Sequence, residues 1–127
     1  YTSGSFSDFG DLSSSRSEVA GASNSTRAVF AGGYDGGSGF GVNVIEYVEI
    51  ASTGNTTDFG DLTFNSRRAA MGSGRQYAIY QGGASGSYFT QYLNYNTLGN
   101  AQDFGGSTSV VRNQGHTIAS NGHGGLS

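Results

Sequence analysis

The chain contains no cysteine, no proline, no tryptophan and no lysine. Without cysteine there is neither a disulfide framework nor a thiolate metal site. Without lysine the six basic residues are all arginine, set against nine acidic residues for a net charge of −3. Phosphate binding needs clustered cations, and Arg67-Arg68 is the one adjacent pair, so nucleic acid is not an expected partner. Long apolar runs are missing as well. AVFA at 28–31 falls far short of the roughly 20 residues that span a bilayer, and no membrane insertion is expected. No basic stretch leading into an apolar core stands at the start. Tyr1 is not an initiator Met, which leads us to expect a processed chain or a fragment. No segment carries an apolar stripe of helical period, so helices are not expected either.

Glycine is abundant instead, at 23 of 127 residues, against a usual share of roughly 7%. Glycine disfavours helix and strand interiors, so this excess implies many turns and therefore many short strands. Aromatic residues reach 13%, split evenly between Tyr and Phe. A disordered Gly/Ser-rich chain would lack them, so a packed all-β fold is expected.

The stretch DFGDL at 8–12 returns unchanged at 58–62, and as DFGGS at 103–107. A shift of fifty residues carries Ala28-Val29-Phe30 onto Ala78-Ile79-Tyr80 and Gly32-Gly33 onto Gly82-Gly83 without a gap. The next spacing is 45, and the five missing residues fall in the segment after the double Gly, where a loop tolerates length changes. The whole of 1–127 is thus one repeat region. Residues 1–7 end a preceding unit, 8–57 and 58–102 are units one and two, and 103–127 is a partial unit three. Each unit reads as two strands flanking a turn (SRSEVAGAS then RAVFAGG; RRAAMGSG then QYAIYQGG), a variable loop, and an alternating strand such as VNVIEYVEI. That last strand is apolar on both faces (Val44, Val48 and Ile50 against Ile45 and Tyr47), so cover on both sides is expected. Four short antiparallel strands per 45–50 residues is the pattern of a β-propeller blade, here in an incomplete ring. A β-solenoid is the alternative.

AVFAGGYDG (28–36) and AIYQGG (78–83) resemble the apolar strand and double Gly of kelch repeats, and IEYVEIASTGNTTDF (45–59) resembles the strand and turn that follow. Phe59 stands where that family carries Trp, and Arg16 and Arg67 stand where it often has an Arg opening the next unit. Segments 45–63 and 26–33 are also similar to Gly/Ser-rich repeats of the DFGDLT/IASTGN type in structural and tail-fibre-like proteins of marine bacteriophages. That resemblance implies a virion-associated adhesion protein at the virion surface or outside the cell.

Asp-Phe-Gly is also a protein-kinase metal motif. A kinase uses it once, together with a strand Lys and an HRD loop, whereas this chain has three copies and no Lys. The repetition reads instead as a structural corner made by Asp8, Phe9, Gly10 and Asp11, by Asp58, Phe59, Gly60 and Asp61, and by Phe104. Phe would anchor, Gly would turn, and Asp would close onto backbone N–H groups as an Asx-turn. Asp58-Phe59-Gly60, with Thr56 before it, also fits the core of the Asp-box of sialidases, itself a structural motif. Asp35 in GGYDGGSG looks superficially like a calcium turn, but the pattern is not sustained and a solvated turn is expected. His116 and His123 lack the spacing of a metal pair. Asn24-Ser25-Thr26 and Asn55-Thr56-Thr57 are formal glycosylation sequons. No metal site, cofactor or catalytic residue is assigned, and an enzyme is not expected.

Tyr is the better signal for contact, because it offers area and a hydrogen-bonding tip at low entropy cost. Tyr34, Asp35 and Tyr88 in the variable loops are the candidate ligand-binding residues, while Tyr80, Tyr92 and Tyr95 suit packing between units. The expected function is a non-enzymatic structural or adhesion module: a tail fibre, spike or capsid decoration. Its partners would be other copies of itself, other virion proteins or a host-surface polysaccharide. The alternatives are a glycan-active propeller enzyme fragment, which would need paired carboxylates, and a cellular protein-interaction propeller. Open strand edges make association of several chains expected.

Overall fold

The structure is a computed structural model. It describes residues 4–37, 39–84, 87–105 and 118, with backbone alone at 83, 84, 87 and 88. The chain is all-β: seven antiparallel strands form one open sheet in sequence order, and the described residues include no helix. The strands are β1 (Ala20–Ser23), β2 (Arg27–Ala31), β3 (Val42–Glu49), β4 (Thr57–Ser73), β5 (Tyr77–Ala84), β6 (Ser87–Asn94) and β7 (Gln102–Asp103).

Short polar segments make the reversals. Asn24 closes the β1–β2 hairpin by accepting from the Thr26 and Arg27 amides at 2.9 and 2.8 Å, an Asx-type turn. Fifty residues on, Gly74 closes β4 onto β5 through a 2.8 Å bond to the Tyr77 carbonyl. The sequon asparagines therefore work through their side-chain oxygens: Asn55 does the same for the Asp11 amide, at 3.0 Å.

β4 is the element that the repeat did not foretell. Its 17 residues run unbroken through the second DFGDL. Residues 57–61 pair with β3, and residues 67–73 pair with β5. The strand bends between the two halves, where Val44 pairs with Asp61 but Val42 pairs with Ser66. The second DFGDL is therefore not a corner between strands, as its sequence implied. Glu46 pairs with Asp58 and Ile45 with Gly60, so Phe59 is the extra residue of a β-bulge.

Because β4 serves both neighbours, the sheet folds over on itself. Residues fifty apart meet across the fold: the Ser23 amide donates to Ser73 Oγ at 3.1 Å, and Arg68 Nε donates to Glu18 at 2.9 Å. The core fills the space between. Val29, Ala31 and Ile45 come from the first half, and Phe59, Leu62, Ala78, Tyr80, Leu93, Tyr95 and Ala101 come mostly from the second. The two-residue period of each strand selects them. In β2, Val29 and Ala31 are buried while Ala28 and Phe30 on the other face are not; in β5, Ala78 and Tyr80 are buried while Ile79 is only partly so. The expected cover on both sides of β3 holds at its centre, where Ile45 and Glu46 on opposite faces are both buried, and fails past its end. There the Val48–Ile50 side opens onto a cleft, and Ile50 is 44% exposed.

Candidate functional site

The repeated Asp-Phe-Gly segments make a main-chain clamp. Gly54 N–H donates to the Phe9 carbonyl at 2.8 Å and Thr56 N–H to the Asp11 carbonyl at 2.9 Å. The second copy repeats this: Gly99 N–H donates to Phe59 and Ala101 N–H to Asp61, both at 2.8 Å. Asn55 and Asn100 each accept the amide of the facing Asp, at 3.0 Å in both copies. The approach is too close for a side chain. A Cβ on Gly10 would lie 2.1 Å from the Gly54 oxygen, and one on Gly60 would lie 2.5 Å from the Gly99 carbonyl. Both glycines also have φ near +145°, where Cβ-bearing residues are strained.

The side chains of the motif divide their work. Asp8 accepts from Gly10 N–H at 3.2 Å and Asp103 from Gly105 N–H at 2.9 Å, as Asx-turns. Asp11 and Asp61 contribute through their main chain. Phe59 is buried, whereas Phe9 is 39% and Phe104 61% exposed. The clamp ties the start of each unit to its own end, and among the described residues it gathers no set of groups around a reacting atom.

Beside the clamp lies a buried polar network. The Arg16 guanidinium pairs with Glu46 with both side chains out of solvent, and it also donates to the Gly32 carbonyl at 3.1 Å. Glu46 accepts from the Ser13 amide and the Thr56 hydroxyl, both at 3.0 Å. Burial pushes the Glu46 carboxyl up, but the Ser13 and Thr56 bonds and the Arg16 charge outweigh it and hold the group below its ordinary value. The fifty-residue shift places Ser66, not Arg67, opposite Arg16.

A third group of residues carries surface chemistry. It lies at the double-glycine rim, where the loops differ between units. The Arg67 guanidinium stacks on the Tyr34 ring at 4.8 Å from its centroid. Glu18 faces both Arg67 at 3.8 Å and Arg68 at 2.9 Å. Glu18 and Arg68 are repeat equivalents, and both hold left-handed backbones with φ of 58° and 57°. Such conformations cost free energy in ordinary residues and concentrate at functional positions. Tyr34 is itself fixed by two main-chain bonds to Ser17, and Asp35 accepts from Gly37 N–H at 3.0 Å. On the same bent strand Phe64, 49% exposed, stacks on Phe89 with ring centroids 4.0 Å apart.

The structure thus brings Tyr34 and Asp35 to one rim. Tyr88 stands opposite Gly83 in the β5–β6 ladder, and its side chain lies outside the described residues. Tyr80 and Tyr95 are buried between the halves of the sheet, and Tyr92 is half-buried beside Phe104. His116 and His123 lie outside the described residues. Among the described residues no three His, Cys, Asp or Glu side chains gather in a way that could hold a metal. Sequence reasoning missed Arg67, Glu18, Arg68 and the Phe64–Phe89 stack at the rim. It also missed Asn55 and Asn100 in the clamp, although the Gly-Asn that recurs before the second and third DFG was a usable signal. In comparison with known proteins, no family model matches the chain, and no curated protein matches it either.

Proposed function

We propose that this chain is a non-enzymatic structural and adhesion module whose repeat units are blades of the kelch-like kind. It would make contact through the double-glycine rim. One observation carries the reading: the Tyr34–Arg67 stack, pinned by Ser17 and Glu18 and flanked by two residues in left-handed conformation. An aromatic ring and a guanidinium held in one orientation give a polar, flat contact at little entropic cost, which suits a sugar ring or a polar protein surface. The rim sits where units differ in length, while the clamp is kept from unit to unit. That division suits a constant scaffold with variable contacts. The similarity of 26–33 and 45–63 to repeats of marine bacteriophage structural proteins supports a place at a virion surface, as tail fibre, spike or capsid decoration. A host polysaccharide or another virion protein would then be the partner.

The test is binding of the purified chain to an array of bacterial surface polysaccharides, alongside its Tyr34→Ala and Arg67→Ala variants. Retention of the parent on at least one glycan, weakened tenfold or more in both variants, supports the reading. Retention on none, or equal retention of all three, removes the rim as a glycan contact.

A further inference from the structure

A polar cleft of about 300 Å³ opens between Tyr77, Tyr92, Asn94, Leu98, Asn100 and Gln102. It lies at the end of the β5–β6 hairpin where Tyr77 pairs with Asn94, opposite the Ala84–Ser87 end that carries the rim. The first unit closes the same position with its own side chains. There Arg27 lies over the Tyr47 ring at 4.9 Å from the centroid, bonds Glu49 at 2.7 Å and donates to the Tyr95 carbonyl. The second unit keeps the ring, as Tyr92, but Arg27 becomes Tyr77 and Glu49 becomes Asn94. Both charges go together, and the guanidinium that covered the ring goes with them. Tyr77 stands at 75° to Tyr92 instead, with ring centroids 5.7 Å apart, and is 44% exposed. The described part of the third unit borders the cleft without lining it: Phe104 packs on Tyr92 at 5.9 Å, and Ile118 stands against Gly72.

The cleft is built to donate. Asn94 spends its side-chain oxygen on the Asn96 amide, Asn100 on the Asp61 amide and Gln102 on the Tyr92 hydroxyl, each at 3.0 Å. Those bonds fix three carboxamides and leave each with its NH2 group, two donors apiece. Among the described residues no charged side chain lines the cleft. A ligand must therefore bring acceptors, need no counter-ion and present an apolar face to the rings. We infer that the cleft is a binding subsite for an uncharged sugar residue. Its C–H face lies against Tyr77 and Tyr92, and its hydroxyl oxygens accept from Asn94, Asn100 and Gln102. An anionic sugar would find no cation here, and an apolar ligand would leave the amide donors unpaired. A few convergent polar groups beside aromatic walls are the usual make-up of a small-molecule site. The cleft shares no residue with the rim, so the inference stands whether or not the rim binds a glycan.

Nuclear magnetic resonance titration of the isotope-labelled full chain tests it, read at the side-chain NH2 signals of Asn94, Asn100 and Gln102. The probes are maltotetraose, cellotetraose, mannotetraose and chitotetraose, all neutral, with tetragalacturonic acid as the acidic comparison. Tyr77→Arg/Asn94→Glu installs the first unit's own cover, and Tyr77→Ala removes one ring. Matching circular dichroism and melting curves establish that the variants fold. The expected result is a saturable shift of all three signals with at least one neutral oligosaccharide, weakened tenfold or more in both variants. If one variant fails to fold, the other decides. No saturable shift with any neutral probe overturns the inference, as does binding confined to the acidic one. Shifts seen only at Tyr34 and Arg67 overturn it too and leave the rim reading standing. Binding that is not weakened in a folded variant places the sugar elsewhere and also overturns it.

Discussion

Gln91 accepts the Thr63 amide at 2.8 Å, as Glu46 accepts the Ser13 amide at 3.0 Å one unit earlier. Both side chains are almost fully buried. The partner changes with them: Arg16, paired to Glu46, becomes Ser66 in the second unit, and Thr56 becomes Ala101. One chain therefore fills the same buried positions in two ways, with an ion pair in the first unit and with the uncharged Ser66 and Gln91 in the second.

Breaking the ion pair on one side should be costly. Glu46→Gln leaves the Arg16 guanidinium buried without its counter-charge, at about 3–5 kcal/mol. The double variant Arg16→Ser/Glu46→Gln installs the second unit's uncharged residues and should cost much less than the sum of the single changes, with a coupling of about 2–3 kcal/mol by denaturant unfolding. The pH dependence has a definite sign. The Glu46 carboxyl is held below its ordinary value of 4.5 in the folded chain. Its contribution is present above that value and is lost as pH falls through the folded one. The double variant should therefore lose less stability than the parent below about pH 4.5. Additive single effects would show that the two residues do not act as a pair.

Alanine at Gly60 tests the clamp. Its Cβ would meet the Gly99 carbonyl at 2.5 Å on a backbone with φ of +145°. The strain alone is about 1–3 kcal/mol, and the overlap adds to it. We expect Gly60→Ala to lower the urea midpoint by an amount equivalent to at least about 2 kcal/mol. Gly39→Ala, where a Cβ would meet nothing within 4 Å, should stay within about 0.5 kcal/mol. Equal effects at the two sites would remove the clamp as the reason for glycine in DFG.

The repeat made much of this legible. A shift of fifty located the equivalent strands, the double-Gly loops and the two clamp glycines, because a Cβ-free position leaves a letter that can be read. The bend of β4 was not legible. DFGDL carries turn-type residues, yet in the second copy it pairs along β3 and absorbs its extra residue as a bulge at Phe59. The left-handed pair was hidden too, since Glu18 and Arg68 are not residues that announce a positive φ. The rim was half visible, with Tyr34 marked by its loop and Arg67 read only as an arginine opening the next unit.

That hidden pair yields its own prediction. Arg68 holds φ of 57°, which costs an ordinary residue roughly 1–2 kcal/mol and glycine very little. Its bond to Glu18 is well exposed, at 42% on the Arg68 side, so little stability is lost with it. Arg68→Ala and Arg68→Gly both remove the ion pair, and only the second relieves the backbone. We expect Arg68→Gly to exceed Arg68→Ala in stability by about 1 kcal/mol, measured by chemical denaturation. Equal stabilities would mean that the backbone at 68 is not held left-handed in solution.

Tyr80 gives the chain an alkaline limit. Burial between the halves of the sheet pushes its phenol from 10.0 up to about 12 against the pull of the nearby Ser66 hydroxyl, which comes close without completing a hydrogen bond. The folded value is thus the higher one. The stability that depends on a neutral phenol is complete below about pH 10 and is lost as pH rises towards about 12, where the unfolded chain ionises first. The expected loss is roughly 1.4 kcal/mol per pH unit across that window. Its repeat counterpart is Phe30, so Tyr80→Phe keeps the ring and deletes the proton. The hydroxyl is buried without a hydrogen-bond partner among the described residues, and removing such a group is nearly neutral or stabilising. Tyr80→Phe should therefore match or exceed the parent at pH 8 and show a shallower decline above pH 10, followed by thermal unfolding at a series of pH values. Parallel declines in the two proteins would assign the alkaline limit to another tyrosine, with Tyr95, raised by the same burial, the next to substitute.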